Sequence, residues 1–223
     1  MTAKILIYAS SSPSTAQKYL SLSSSLTRSL HSRNFSIING GGSLGNMGAV
    51  NRTAKEIGCE VDVVIHEMWV DGEFWREGGG ECVVVGGKDL NERKRCLLKN
   101  ASGIIVLPGG LGTLEEALEV LSLKSCNLLR DIPVAFLSGG EGKGGEAFWQ
   151  PIKEMLKRIE ADGMLREGVK ISKGDGGEDG EDGDAACEFF NEPDECTAWI
   201  ERAIKRRESE SGGDGDGDGG GGM

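Results

Sequence analysis

Residues 103–116, GIIVLPGGLGTLEE, place an apolar run directly ahead of Pro108, three glycines and two carboxylates. The run is continuously apolar, which suits a strand buried on both faces rather than one that turns a side to water. Beyond Gly112, apolar residues recur at helical intervals, with Leu114, Ala117, Leu118 and Leu121 as the expected core stripe. A buried strand breaking at Pro-Gly-Gly into a helix is one unit of an open α/β sheet. A turn needs one glycine; three in this loop imply that something approaches the backbone closely.

The same rhythm extends in both directions. Strands are expected at 4–9, 35–39, 60–66, 81–85, 103–107 and 132–137. Helices are expected at 14–32, 45–57, 89–100, 112–128, 147–161 and 193–206, the last with Pro193 in its first turn. The alternation predicts a Rossmann-like α/β fold, an open and mostly parallel sheet with helices on both faces. Ligands of such sheets bind beyond the carboxyl ends of the strands, near the switch point. Three predicted strand ends carry small or glycine residues there: SSSPST (10–15), GGGSLGNMG (40–48) and PGGLG (108–112).

Composition narrows the function. The formal charge is −11, but residues 173–184 and 204–223 hold 11 of the 36 acidic and 4 of the 25 basic residues. Elsewhere 25 acids stand against 21 bases, a balance that offers no electrostatic footprint for nucleic acid. The expected organisation is one domain over 1–207, with an acidic, disordered insert at 173–184 and an acidic Gly/Asp tail at 208–223. The six cysteines form no C-x-x-C pair, and only His31 and His66 join them, so metal ligation is not expected. The chain enters a strand almost at once and has no run of membrane-spanning length, which predicts a cytoplasmic protein.

Glycine loops that open into helices present backbone N–H groups at the positive end of the helix dipole, an anion site that needs no basic side chain. Two such loops at one crevice suit a phosphorylated small molecule. Gly40-x-Gly42-x-x-Gly45 formally matches the dinucleotide fingerprint, with Glu67 at the acidic position, although it follows the second strand instead of the first. No nucleotide-hydrolysing P-loop motif is present.

The segments GGGSLGNMG, DLNERKRCLL and PGGLGTLEE, in this order and spacing, resemble the LOG ("lonely guy") family of cytokinin riboside 5′-monophosphate phosphoribohydrolases, many of which were once labelled lysine decarboxylases. The resemblance runs from about residue 3 to 206, apart from the insert. The family motif P-G-G-x-G-T-x-x-E is complete at Pro108, Gly109, Gly110, Gly112, Thr113 and Glu116. It implies a homodimer that hydrolyses the N-glycosidic bond of N6-modified adenosine 5′-monophosphates, releasing the base and ribose 5-phosphate without a metal or organic cofactor. Arg93 and Glu116 would be the catalytic pair. Lys94, Gly109, Gly110, Leu111, Gly112, Thr113, Leu114 and Glu115 would contact substrate, with Gly41, Gly42, Ser10 and Ser11 on the opposite loops.

The chain also departs from the family. Leu90-Asn91 stands where the family has Met-His, and Ala9-Ser10-Ser11-Ser12 replaces Cys-Gly-Ser-Ser. Residues 67–80 match poorly, leaving Glu77 as the nearest candidate for an upstream substrate-contacting glutamate.

The chemistry agrees with these residues. An oxocarbenium-like ribose calls for a carboxylate, here Glu116, and the 5′-phosphate calls for an anchor, here the glycine loops. Three roles are open to Arg93: holding Glu116 ionised, contacting phosphate, or steadying the leaving base. Helical spacing directs Glu116 off the sheet, the direction needed if, as the resemblance implies, a second subunit meets the site; it also gives Asp89 and Glu92 a capping-box arrangement. Lys94 reads equally as a solvated surface lysine. Trp69, Phe74 and Trp75 suit a purine cover, a dimer contact or local packing. The competing readings are a non-catalytic carrier on the same scaffold, like the molybdenum-cofactor carriers, and a dinucleotide-dependent oxidoreductase.

Overall fold

A computed structural model describes residues 2–70, 79–129, 132–140, 147–166, 170–171 and 185–211. Its seven strands are β1 (Lys4–Tyr8), β2 (Ser36–Asn39), β3 (Val61–His66), β4 (Gly79–Val85), β5 (Gly103–Val106), β6 (Val134–Leu137) and β7 (Glu188–Phe190). They form one all-parallel sheet in the order β4-β3-β2-β1-β5-β6-β7. The chain builds outward from β1 to one edge, then returns to β5 and builds to the other. The switch point therefore lies between β1 and β5, and β5 is the strand that ends in Pro-Gly-Gly.

Alternate residues of every strand but the edge strand β4 feed two separate cores. Ile5 and Ile7 join Leu26 and Leu30 of α1 (Gln17–Ser32), Val50 and Ala54 of α2 (Gly45–Ile57), and Ile200 and Ile204 of α6 (Pro193–Ser211). Leu6 and Tyr8 join Leu97 of α3 (Asn91–Lys99), Ala117 and Val120 of α4 (Leu111–Ser125), and Leu156 of α5 (Gln150–Ala161). Burial on both faces explains the unbroken apolar strands.

The α/β fold holds as expected, with three differences. β7 is a further strand, three residues long and adjoining β6. The first helix begins at Gln17, because Ser10–Thr15 is occupied by hydroxyl-to-backbone turns: Ser10 Oγ accepts from the Ser12 amide and Thr15 Oγ1 donates to the Ser12 carbonyl. α6 continues to Ser211, so residues 208–211 of the expected tail are helical. The expected insert at 173–184 and the tail from 212 onward lie outside the described residues, as do Phe74, Trp75 and Glu77. Among the described residues no helix is long and apolar enough to cross a membrane.

Candidate active site

The loops after β1, β2 and β5, the last turn of β3 and the first turns of α3 and α4 enclose a cavity of about 660 Å³. Backbone conformation builds its floor. Gly41 (φ 75°) and Gly45 (φ 60°) turn the β2–α2 loop in the left-handed region, and a side chain on Gly45 would meet the Ser10 and Ser12 backbone. A buried amide network then holds the loop. Asn39 Nδ2 donates to Asn51 Oδ1 at 2.7 Å, Asn51 Nδ2 donates to the Gly42 carbonyl at 3.0 Å, and the Gly41 amide donates to Asn39 Oδ1 at 2.8 Å. Asn46 Nδ2 donates to the Pro108 carbonyl at 2.7 Å, tying this loop to the one after β5.

The glycines of the loop after β5 have two uses. A Cβ on Gly109 would fall 2.2 Å from Thr113 Oγ1, so that position admits Thr113 against the backbone. A Cβ on Gly110 or Gly112 would meet nothing, and both residues line the cavity. No side chain caps α4, whose N-cap is Gly110, so its first-turn amides and dipole are left for a ligand.

The charged centre is carried by α3 and α4. Asp89 Oδ1 accepts from the Asn91 amide at 2.9 Å, a local turn in place of the expected capping box; Leu90 is the N-cap. One turn on, Arg93 is 7% exposed. Its Nε donates to the Val64 carbonyl at 3.1 Å, its Nη1 to Glu116 Oε1 at 3.1 Å, and its guanidinium carbon lies 5.4 Å from the centre of the Trp69 ring. Burial pushes the Glu116 carboxyl above the ordinary carboxylate range, with Arg93 drawing it only partly back. Burial and the nearby Glu116 charge raise the phenol of Tyr8 as well. Lys94 is also buried; its Nζ meets Glu115 Oε1 at 2.6 Å and Glu119 Oε2 at 2.9 Å. Desolvation pulls its pKa down, and the two carboxylates outweigh it, so Lys94 stays firmly an ammonium.

The structure brings together ten of the residues anticipated from sequence. Arg93 and Glu116 line the cavity as one ion pair, with Lys94 and Glu115 beside them. Ser10, Ser11 and Gly42 line it opposite Gly110, Gly112 and Thr113. Four others do not line it. Gly41 spends its amide on Asn39, Gly109 is filled by Thr113, Leu114 packs partly buried on the core, and Leu111 is 85% exposed to solvent. The expected off-sheet direction of Glu116 is corrected. The buried side of α4 is Thr113, Ala117, Val120 and Leu121, with Leu118 turned outward, so Glu116 sits at the edge of that side and faces α3.

The dinucleotide fingerprint is corrected too. Gly40 admits Arg93, whose Nη2 would lie 1.9 Å from a Cβ there; Gly42 admits Ser11 and Met47; Gly45 makes the turn. Glu67, its acidic position, instead accepts from the Gly87 amide at 3.3 Å. Sequence reasoning missed Ser43, Met47, Ile65, Met68 and Leu90 as lining residues. The strand-end rule points to Ile65 and to the 3₁₀ turn Glu67–Trp69, which directly follows β3. Among the described residues no cluster of three or more His, Cys, Asp or Glu could hold a metal.

The model of the family described as "Possible lysine decarboxylase" matches residues 47–171. The cytokinin riboside 5′-monophosphate phosphoribohydrolase LOG5 of Arabidopsis thaliana is 33% identical over 135 residues, which is 60% of this chain and 58% of that protein. The chain spans about three-fifths of the length of the curated relatives it matches. Two solved structures share the fold. One is the molybdenum cofactor carrier protein of Chlamydomonas reinhardtii, with TM-score 0.59 and 16% identity over 92% of this chain and 99% of that one. The other is the molybdenum cofactor binding protein of Rippkaea orientalis, with TM-score 0.59 and 14% identity over 92% and 98%.

Proposed function

This chain belongs to the "Possible lysine decarboxylase" family, and from that premise we propose that it hydrolyses the N-glycosidic bond of adenosine 5′-monophosphates, including N6-modified ones. The observation that carries this reading is the ion pair between Arg93 and Glu116, set in a cavity between an uncapped helix N-terminus and an apolar end. Decarboxylation through an attacking lysine fits less well. That chemistry needs an uncharged amine, whereas Lys94, the lysine that lines the cavity, is held as an ammonium by two carboxylates.

The phosphate anchors on the first-turn amides of α4, near the Ser10 and Ser11 hydroxyls. The ribose then lies beside Glu116. As the bond from C1′ to the base nitrogen breaks, its electron pair leaves on the base and C1′ becomes cationic. The Glu116 carboxylate stabilises that cation and takes a proton from the water whose oxygen bonds to C1′; the proton ends on the departing base. Arg93 keeps Glu116 ionised against its burial and faces the charge that develops on the base.

The test is incubation of the pure protein with AMP and with N6-isopentenyl AMP, followed by chromatography for free base and ribose 5-phosphate. Release of both products from either substrate supports the reading. Tight nucleotide binding without cleavage overturns it in favour of a carrier.

A further inference from the structure

The cavity changes chemistry along the sheet. Beyond β1 and β5 it is lined by hydroxyls and glycine backbone at Ser10, Ser11, Gly110, Gly112 and Thr113. Beyond β3, at the other end, the lining is Ile65, Met68 and Trp69. Between these ends stands Arg93, bonded to the β3 backbone on one side and to Glu116 of α4 on the other. A ligand laid across the strands thus meets amides and hydroxyls, then the ion pair, then an apolar and aromatic surface.

Trp69 is the one aromatic side chain lining this cavity among the described residues, and it remains 42% exposed although a guanidinium stands over its ring. Two contacts fix it. His66 packs edge-on at 6.2 Å between ring centres, and His66 Nδ1 accepts from the Met68 amide, holding the 3₁₀ turn that carries Trp69. An exposed indole, held from two sides and facing a cavity, is a preorganised stacking surface. Its segment is also the part of the chain that the family resemblance leaves unmatched.

We infer that Trp69 is the residue that binds the base, by stacking a planar heteroaromatic ring at the β3 end of the cavity. This rests on the proposed nucleotide hydrolysis for the identity of the ligand, not for the stacking surface itself. Selection there is by a flat, polarisable face and by apolar contact with Met68.

The experiment compares wild type, Trp69→Phe and Trp69→Ala in two measurements: nucleotide KM and kcat with AMP, and inhibition by ribose 5-phosphate, which has no base. Loss of base stacking raises the nucleotide KM about tenfold in Trp69→Ala, with most affinity kept in Trp69→Phe and ribose 5-phosphate inhibition unchanged in both. If ribose 5-phosphate inhibition weakens equally, Trp69 only props Arg93 and the inference is overturned. An unchanged nucleotide KM overturns it as well, while leaving hydrolysis intact. If wild type does not cleave AMP, the same comparison is made on AMP affinity by calorimetry; the stacking assignment then stands or falls apart from the reaction.

Discussion

Gly40 and Glu116 govern the state of one guanidinium. A methyl on Gly40 would fall 1.9 Å from Arg93 Nη2, the movable end of that side chain, so Gly40→Ala should displace the guanidinium and leave the fold intact. The expected result is a protein of near-normal Tm whose turnover falls as far as that of Arg93→Ala; normal turnover would mean that Arg93 relaxes without leaving Glu116. Glu116→Gln preserves volume but removes the charge proposed to face C1′. Turnover should fall by about 10²–10³, with AMP affinity by calorimetry held near the wild-type value. Burial also sets the pH profile. In the proposed reaction Glu116 acts ionised, and its carboxyl is raised, so activity should be lost on acidification at a pH above that of an ordinary carboxylate. Gly40→Ala, by weakening the influence of Arg93, should move this acid limb higher still. An acid limb in the ordinary carboxylate range would remove Glu116 as the titrating base.

The loop after β2 owes its shape to three side-chain amide bonds rather than to glycine alone. Asn51→Ala leaves the buried Asn39 amide and the half-buried Gly42 carbonyl without their partner. The expected cost is about 1–3 kcal/mol, seen as a drop of several degrees in Tm for a chain of this length, with a raised nucleotide KM because Gly42 lines the cavity. An unchanged Tm would show that the loop is held by its backbone. This arrangement also marks what sequence can reveal. Uninterrupted runs such as IIVL point to the parallel sheet, and three strand ends rich in glycine or serine point to the site, because both depend on neighbours in the chain. β7 escapes such a reading because three residues, Glu188–Phe190, make a strand only by pairing with β6. The direction of Glu116 is misjudged from sequence because Leu118 and Val120 exchange places between surface and core, which helical spacing cannot decide. Lys94 reads as a surface lysine because its partners, Glu115 and Glu119, are supplied by another helix.

The outward side of α4 gives the molecule a surface that one copy of the chain leaves uncovered. Leu111 and Leu118 are 85% and 38% exposed and seven residues apart on one helical face, and Leu128, beyond the end of the helix, is 74% exposed. Exposed leucines that join into one contiguous patch mark a contact surface. With Glu116 turned inward, this face, and not the Glu116 carboxylate, is the ground on which we propose a homodimer. Leu111 lies between Gly110 and Gly112, which line the cavity, so a partner seated on α4 would also border that end of the cavity. Sedimentation should therefore give twice the 23.7 kDa of one chain. Leu118→Glu, which touches neither the cavity nor the buried side of α4, should reduce the mass to that of one chain without lowering Tm by more than a few degrees. A Leu118→Glu protein that still sediments as a dimer would place the interface elsewhere. A dissociated protein with a raised KM would show the partner contributing to the site, whereas one with normal kinetics would confine the dimer to a structural part.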